Sequence, residues 1–388
     1  MVMSQGDVDM LRIFRWCRCV SQSGLEAVFS KNRIAIFLLF KLIRKHRSYD
    51  AFVLTARGHA LIDTHLPDTP PNAKLTYLKG DTLRRIRLSQ LMLTAYEAGL
   101  NVFLHNTHEL LSTSGLYLPA TQRGRGTNVW GSSRISALTL LDDTLYAIHY
   151  VAPEIGKINF ADELDVLSKQ ASPLNPKRQA LLFVGDTYAS ILEEINAPHV
   201  DGKRERNLVH YGTACNRSPI PVHLLSCNKV GTLQLMILSQ PDYRNRLAML
   251  SLEDDYAPPA PDLDCDAIFH GKPFLVAVDM DLQRLDRACT HDPISIVALE
   301  EQATEVLNQR YHQTGLGEVY LLSDAAIEQL LGHKPQFHVP SHKSYQSEEG
   351  EIFYDPPIPT AQKSINASGK KRVQVEPKNR QVDGQEQA

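Results

Sequence analysis

The chain has 388 residues, of which 43% are hydrophobic and 22% charged, and its formal net charge is −3. That length leaves room for two or three domains around a substantial core, and the composition is that of a globular protein. The charge excludes a polycation that coats nucleic acid through bulk attraction, so any DNA affinity has to be local.

The first helix is predicted in "DVDMLRIFRWCRCV", where Met10, Ile13, Phe14, Cys17 and Val20 recur at helical spacing. Asp7 would cap it, with Arg12, Arg15 and Arg18 mostly on the other side. After the break "SQSG", "LEAVFS" reads as a short helix and "KNRIAIFLLFKLIRKHR" as a longer one. The apolar run "IAIFLLF" is seven residues long, far below the roughly 20 of a membrane span, and no signal-peptide pattern precedes it. No membrane partner is expected. The strand "AFVL" and a helix opened by "TARGHALID", with Thr55 as its cap, complete the order helix, short helix, turn, longer helix, strand, helix. This is the order of a helix-turn-helix with a wing, and "HRSYDAFVL" leaves room for about one wing strand and a tight turn. Leu54, Thr55, Gly58 and Leu61 form "LT-x-x-G-x-x-L", and on these residues the segment resembles the winged-helix family.

Residues 1 to 63 carry ten Lys and Arg against five Asp and Glu, in a chain that is acidic overall. The winged-helix resemblance places Lys31, Asn32 and Arg33 at the helix end that enters a major groove, and Arg44, Lys45, Arg47 and Arg57 against phosphates. Double-stranded DNA is therefore the expected partner. The alternative is that these charges are solvated faces, or that the module forms a homodimer.

The proline-rich "HLPDTPPNAK" marks a boundary after a domain spanning 1–64. A second domain, 75–172, begins with the helix "DTLRRIRLSQLMLTAYEAGLNVF", whose Arg84, Arg85 and Arg87 are expected outside. The strands "RISALTLL" and "TLYAIHYV", joined by a "DD" turn, and the helix "FADELDVLSKQA" follow. Helix, long loop, hairpin, helix is how small nuclease-like α/β cores begin. Taken together, residues 7–170 resemble the replication-relaxation and mobilisation-accessory proteins of plasmids and integrative conjugative elements. That resemblance implies a winged helix joined to a degenerate restriction-endonuclease-like domain, and a regulatory or accessory role in maintenance or transfer of a mobile element. A working metal-dependent nuclease of that fold needs a helix Glu, a strand Asp and a Glu-x-Lys. Glu97 and Asp142 or Asp143 would fill the first places, but the third reads "AIH", so the domain is expected to be inactive and metal-free.

A third domain, 178–333, is expected as a mixed α/β sheet. Its predicted strands are "ALLFV", "IPVHLLSC", "TLQLMIL", "KPFLVAVDMD" and "EVYLLSD", with helices such as "LQRLDRACT" and "ALEEQATEVLNQRY" between some of them. The pair Asp279 and Asp281 after an apolar strand is patterned like the nucleophile strand of haloacid-dehalogenase-type phosphatases, but Gln283 stands where that family has Thr or Val. "DLDCD" has the alternate acids of a calcium loop without its glycine and glutamate, and no phosphate-binding or dinucleotide motif is present. From 334 to 388 the composition predicts a disordered tail, in which Phe353 and Tyr354 beside two prolines are patterned like a docking peptide for a protein partner, a plain solvated tail being the alternative. Six cysteines without a C-x-x-C pair exclude a disulfide framework and favour a reducing cytoplasm. The expected protein is thus a multidomain α/β DNA-binding accessory factor with no cofactor. A nuclease and a non-catalytic interaction scaffold are the competing readings.

Overall fold

The computed structural model describes residues 4–65, 78–122, 129–153, 157–198, 208–260, 263–289, 294–311, 316–335, 345–346 and 352–353. It opens with α1 (Gln5–Cys17), fixed by a capping box in which Ser4 and Asp7 exchange side-chain and backbone hydrogen bonds. Met10, Leu11, Phe14 and Trp16 form its buried face. Then come β1 (Cys19–Ser21), α2 (Gln22–Val28), α3 (Lys31–Leu39), β2 (Ile43–Lys45), β3 (Ala51–Leu54) and α4 (Ala56–His65). β3 is central and antiparallel to both neighbours, in the order β1-β3-β2.

Two sequence expectations change here. The third helix stops at Leu39 and does not run on to Arg47. Lys41 takes φ 55. Its N–H then reaches the Leu38 carbonyl and the Leu42 N–H reaches Phe37, the paired bonds that close a helix C-terminus. A lysine holds the position usually given to glycine, so nothing in the sequence marks the stop. The chain reverses, and the hairpin has two full strands, with Ile43 opposite Leu54.

The "LT-x-x-G" string has a physical basis. The Thr55 hydroxyl donates to the Leu42 carbonyl and accepts the Gly58 N–H at 3.2 Å. A Cβ at Gly58 would lie 2.3 Å from the Leu42 oxygen, so only glycine lets α4 approach that turn.

The next helix, α5 (Lys79–Glu97), ties the parts together. The Ser21 N–H donates to Ser89, the Tyr96 hydroxyl to Asp9, and the Cys17 thiol lies 3.3 Å from the Met92 sulfur. At its far end Glu97 accepts from Thr232. One hydrophobic core runs from Met10 through Leu88, Leu91 and Met92 to Leu330, and residues 1–338 form one compact unit.

Beyond α5 come β4 (Leu116–Tyr117), β5 (Ala137–Leu141), β6 (Thr144–Tyr150), β7 (Lys157–Asn159), α6 (Phe160–Leu174) and β8 (Arg178–Gly185). α7 (Tyr188–Asn196), β9 (Leu208–His210), α8 (Tyr211–Arg217) and β10 (Val222–Ser226) follow. The main sheet has the order β10-β8-β6-β5-β4, antiparallel from β4 to β6 and parallel from β6 to β10. The expected boundary at 172–178 therefore runs through one sheet. The predicted "DD" turn is present, Asp142 and Asp143 at φ 43 and 58 joining β5 to β6 in the left-handed pair that suits a two-residue hairpin.

"TLQLMIL" is not a strand but part of α9 (Lys229–Leu238), with α10 (Tyr243–Leu252) after it. Asn228 accepts the Val230 and Gly231 N–H groups and so starts α9, while buried Gln234 bonds Tyr188 and the Leu224 carbonyl. A short apolar run has no periodicity that separates strand from buried helix.

A second sheet contains β11 (Ala267–Phe269), β12 (Lys272–Val276), β13 (Ile294–Ala298) and β14 (Leu316–Leu321), in that order. α11 (Leu282–Ala288) follows β12, a helical stretch from Glu300 to Tyr311 follows β13, and α12 (Asp324–Leu331) follows β14. The Leu224 N–H donates to the Met280 carbonyl and links the two sheets. The fold is mixed α/β, and no helix among the described residues is long and apolar enough to cross a membrane. The predicted tail, including Tyr354 and the Phe353 side chain, lies outside the described residues, apart from short strands pairing Tyr345 with Phe353.

On β6, in the middle of the main sheet, His149 is fully buried against the Phe183 ring, with neither ring nitrogen hydrogen-bonded. Burial pushes it from 6.5 down to about 4. Between those values the unfolded chain binds the extra proton, so stability is full above pH 6.5 and falls as pH drops toward 4, by about 3 kcal/mol in total. Urea unfolding of His149→Leu at pH 7 and pH 5 is expected to show a smaller pH loss than the parent. In the same assay Gly58→Ala is expected to cost roughly 1–3 kcal/mol, through the clash with Leu42.

Candidate nucleic-acid interface

Ser30 caps α3 by accepting the Arg33 N–H, which leaves Lys31 and Asn32 in the first turn exposed to solvent. This nine-residue helix is about 14 Å long, and an α-helix with its side chains, about 10–12 Å across, fits the roughly 12 Å width of a B-DNA major groove. At its other end the chain turns through exposed Lys41 into β2, where Arg44 and Lys45 are both exposed. Arg47 is exposed in the hairpin turn and Arg57 in the first turn of α4. Among the described residues the Arg44 side chain bonds the neighbouring Lys45 carbonyl alone, at 3.4 Å. Between these cations His46 is held below its ordinary value, first by burial and then by Arg44.

Arg33 does not join this surface. Its Nε sits 2.6 Å from Asp7 Oδ1 and its NH2 donates to Ser4, so it clamps the start of α3 onto the capping box of α1. Asp7 is completely buried and Arg33 is its charge partner. The expectation that Arg33 reads base edges is therefore corrected to a structural pair. Arg12 and Arg15 are likewise occupied, by Asp9 together with the Phe103 ring and by Asp63, and Arg18 is buried.

The outer face of α3 is unlike a purely polar recognition surface. Ile36 is 36% exposed, Leu39 77% and Phe40 40%. Apolar side chains there would meet thymine methyls or another protein.

The acids of the competing readings have structural partners. Asp142 accepts from Arg178 and from the Asp242 N–H, and Asp143 pairs with Lys177 at 2.6 Å, at the start of β6. Glu97 lies with Thr232 in the first turn of α9, past the opposite end of the sheet's parallel strands, so the nuclease-type acids are not brought together. Asp279 accepts from the Tyr243 hydroxyl and the Arg244 Nε, each at 2.8 Å. Burial alone would raise its carboxyl, but Arg244 and His223 hold it well below the usual range. Asp281 caps α11. Asp264 and Asp266 of "DLDCD" accept from Arg284, and Asp264 also from Arg287. Among the described residues no group of three or more His, Cys, Asp or Glu side chains is placed to hold a metal ion.

The α5 arginines divide differently from the sequence expectation. Arg85 is 3% exposed, whereas Arg84 is exposed and Arg87 half-buried. Helix periodicity misses this because α5 is covered on more than one side. Compared with protein-family models, curated proteins and solved structures, the chain matches none of them.

The two kinds of cation separate in a urea titration. Arg33→Ala strands the buried Asp7 charge and is expected to cost about 1–3 kcal/mol. Lys31→Ala with Asn32→Ala is expected to stay within about 0.5 kcal/mol of the parent.

Proposed function

We propose that this chain binds duplex DNA and acts as a non-catalytic accessory or regulatory factor in the maintenance or transfer of a mobile genetic element. The observation that carries the reading is the cation pattern on the N-terminal module. Lys31 and Asn32 stand exposed in the first turn of α3, and Arg44, Lys45 and Arg47 stand exposed on the hairpin that follows it. The order α1, β1, α2, α3, β2, β3 is that of a winged helix-turn-helix, whose third helix enters the major groove while the wing meets the backbone. In this reading Lys31 and Asn32 face base edges, and Arg44, Lys45, Arg47 and Arg57 face phosphates.

The order α5, three antiparallel strands β4 to β6, α6 and parallel β8 supports the companion proposal of a degenerate nuclease-like core. The mobile-element role rests on the resemblance of residues 7–170 to replication-relaxation and mobilisation-accessory proteins. Exposed Ile36, Leu39 and Phe40 favour a second reading, a scaffold in which α3 meets a protein surface.

Deleting the N-terminal module is a poor test, because the deletion uncovers the apolar face of α5. Fluorescence anisotropy on a random duplex across a salt series is expected to show salt-sensitive binding by the full chain. Arg44→Ala with Lys45→Ala is expected to lower the slope of log K against log salt by about 2. Lys31→Ala with Asn32→Ala is expected to weaken a preferred sequence more than random DNA. Parent protein that fails to bind at low salt defeats the DNA reading. If Leu39→Lys then abolishes self-association measured by sedimentation, the scaffold reading takes its place.

A further inference from the structure

We propose that a cavity of about 400 Å³ at the carboxyl end of β6 binds a nucleoside phosphate, either free or at the end of a nucleic-acid strand.

Its position comes first. Tyr150 is the last residue of β6, Ser136 immediately precedes β5, and both line the cavity. Here the sheet changes from parallel pairing, β6 with β8, to antiparallel pairing, β6 with β5. Ligands of open α/β sheets commonly settle outside strand carboxyl ends.

Among the described residues, Arg84, Arg87 and Arg134 line the cavity against one lining carboxylate, Asp81. Asp81 is already shared, 2.6 Å from Arg84 and 3.7 Å from Arg85. Behind the wall lie two buried arginines, Arg18 and Arg85, each with an Nε that donates no hydrogen bond. Burial, then the neighbouring Arg18 guanidinium, pushes Arg85 down to about 10. Among the described residues these five arginines outnumber the carboxylates of Asp81, Glu163 and Asp186, the last two bonded to the lining residues Ser133 and Tyr150, so the surroundings favour an anion. The first turn of α5 adds backbone N–H groups: Gly80 lines the cavity, and the residue at the cap position is Leu78, which has no side-chain acceptor.

The size and the rest of the lining narrow the class. Small-molecule sites occupy about 300–1,000 Å³, so this cavity holds more than an inorganic anion. Leu88, Ile135 and the Tyr150 ring supply the apolar part of the lining for a base, and Ser136 supplies a hydroxyl for a sugar, the Ser133 hydroxyl being donated to Glu163. Arg87 already lies 5.8 Å from the centroid of the Tyr150 ring, a guanidinium over an aromatic face.

The test is isothermal titration calorimetry of the full chain with AMP, dTMP, ribose 5-phosphate, adenosine and inorganic phosphate, on the parent, Arg134→Gln and Arg84→Gln. Both side chains are exposed, and unchanged circular dichroism establishes that the variants are folded. A nucleoside monophosphate is expected to bind more tightly than its sugar phosphate, its nucleoside or phosphate alone. Each variant is expected to weaken it about ten-fold. Competition by a 5′-phosphorylated oligonucleotide but not by its 5′-hydroxyl form would assign the ligand to a strand end, and competition by neither would assign it to the free nucleotide. The proposal is overturned if neither nucleotide binds at millimolar concentration, if phosphate or ribose 5-phosphate binds as tightly as the nucleotides, or if neither variant weakens binding. Because the probe is a free nucleotide, these outcomes are independent of whether the N-terminal module binds duplex DNA.

Discussion

The burial of α5 on both of its long sides is the constraint on which the rest depends. One side receives Cys17, Ser21 and Asp9 of the N-terminal module; another meets α9 through Glu97 and Thr232. A helix that is amphipathic in the ordinary sense buries one stripe and leaves the other wet. This one cannot, because Leu88, Leu91, Met92, Leu93 and Ala95 are all buried and together sweep around it. Its consequence is that the N-terminal module has no complete core of its own. The apolar side chains of α1 and β1 pack against β3 and α4 as well as against α5, and removing α5 would expose a large apolar area to water.

That constraint also sorts the charges. Arginine is tolerated in a buried place only when it is paired or bonded, and the structure obeys this unevenly. Arg33 reaches Asp7, Arg15 reaches Asp63, and Arg284 spans Asp264 and Asp266. Arg18 and Arg85 have only part of what they need. The exposed cations of α3 and the hairpin carry no such burden. Their desolvation cost is small and they are available to phosphates, where charge attraction and counterion release favour contact. Burial, rather than the count of Lys and Arg, separates structural cations from those that can meet a ligand.

Much of the fold was legible in the sequence where a local rule had one solution. The "DD" turn between two apolar runs specified a hairpin, and Thr55 with Gly58 specified the junction into α4. Legibility failed where tertiary contact decided. "TLQLMIL" is helical because Asn228 caps it and Gln234 has partners on Tyr188 and Leu224. The end of α3 is set by a lysine in a glycine conformation. Of the candidate DNA contacts, Lys31, Asn32, Arg44, Lys45, Arg47 and Arg57 are exposed as the pattern required, while Arg33 is drawn inward by a carboxylate 26 positions earlier in the chain. No periodicity contains that pair. The arginine-lined cavity was equally hidden, since Arg84 and Arg87 meet Arg134 only after the sheet has formed.

The same helix joins the two candidate sites. Gly80, Asp81, Arg84 and Arg87, at the start of α5, face the cavity, and Ser89, Met92 and Tyr96 further along it hold β1 and α1. An anion settling against the first turn would stabilise that end of the helix through its unpaired N–H groups and its dipole. Whether this reaches the proposed DNA-binding surface depends on α5 having a second arrangement, because a ligand shifts an equilibrium only by its different affinity for two states. The packing argues against one: Met92 and Ser89 sit in a continuous core, and a close-packed interior resists small displacements. The helix is therefore a rigid strut. It fixes the distance between the proposed duplex-binding surface and the proposed nucleotide pocket, so neither would need a rearrangement of α5.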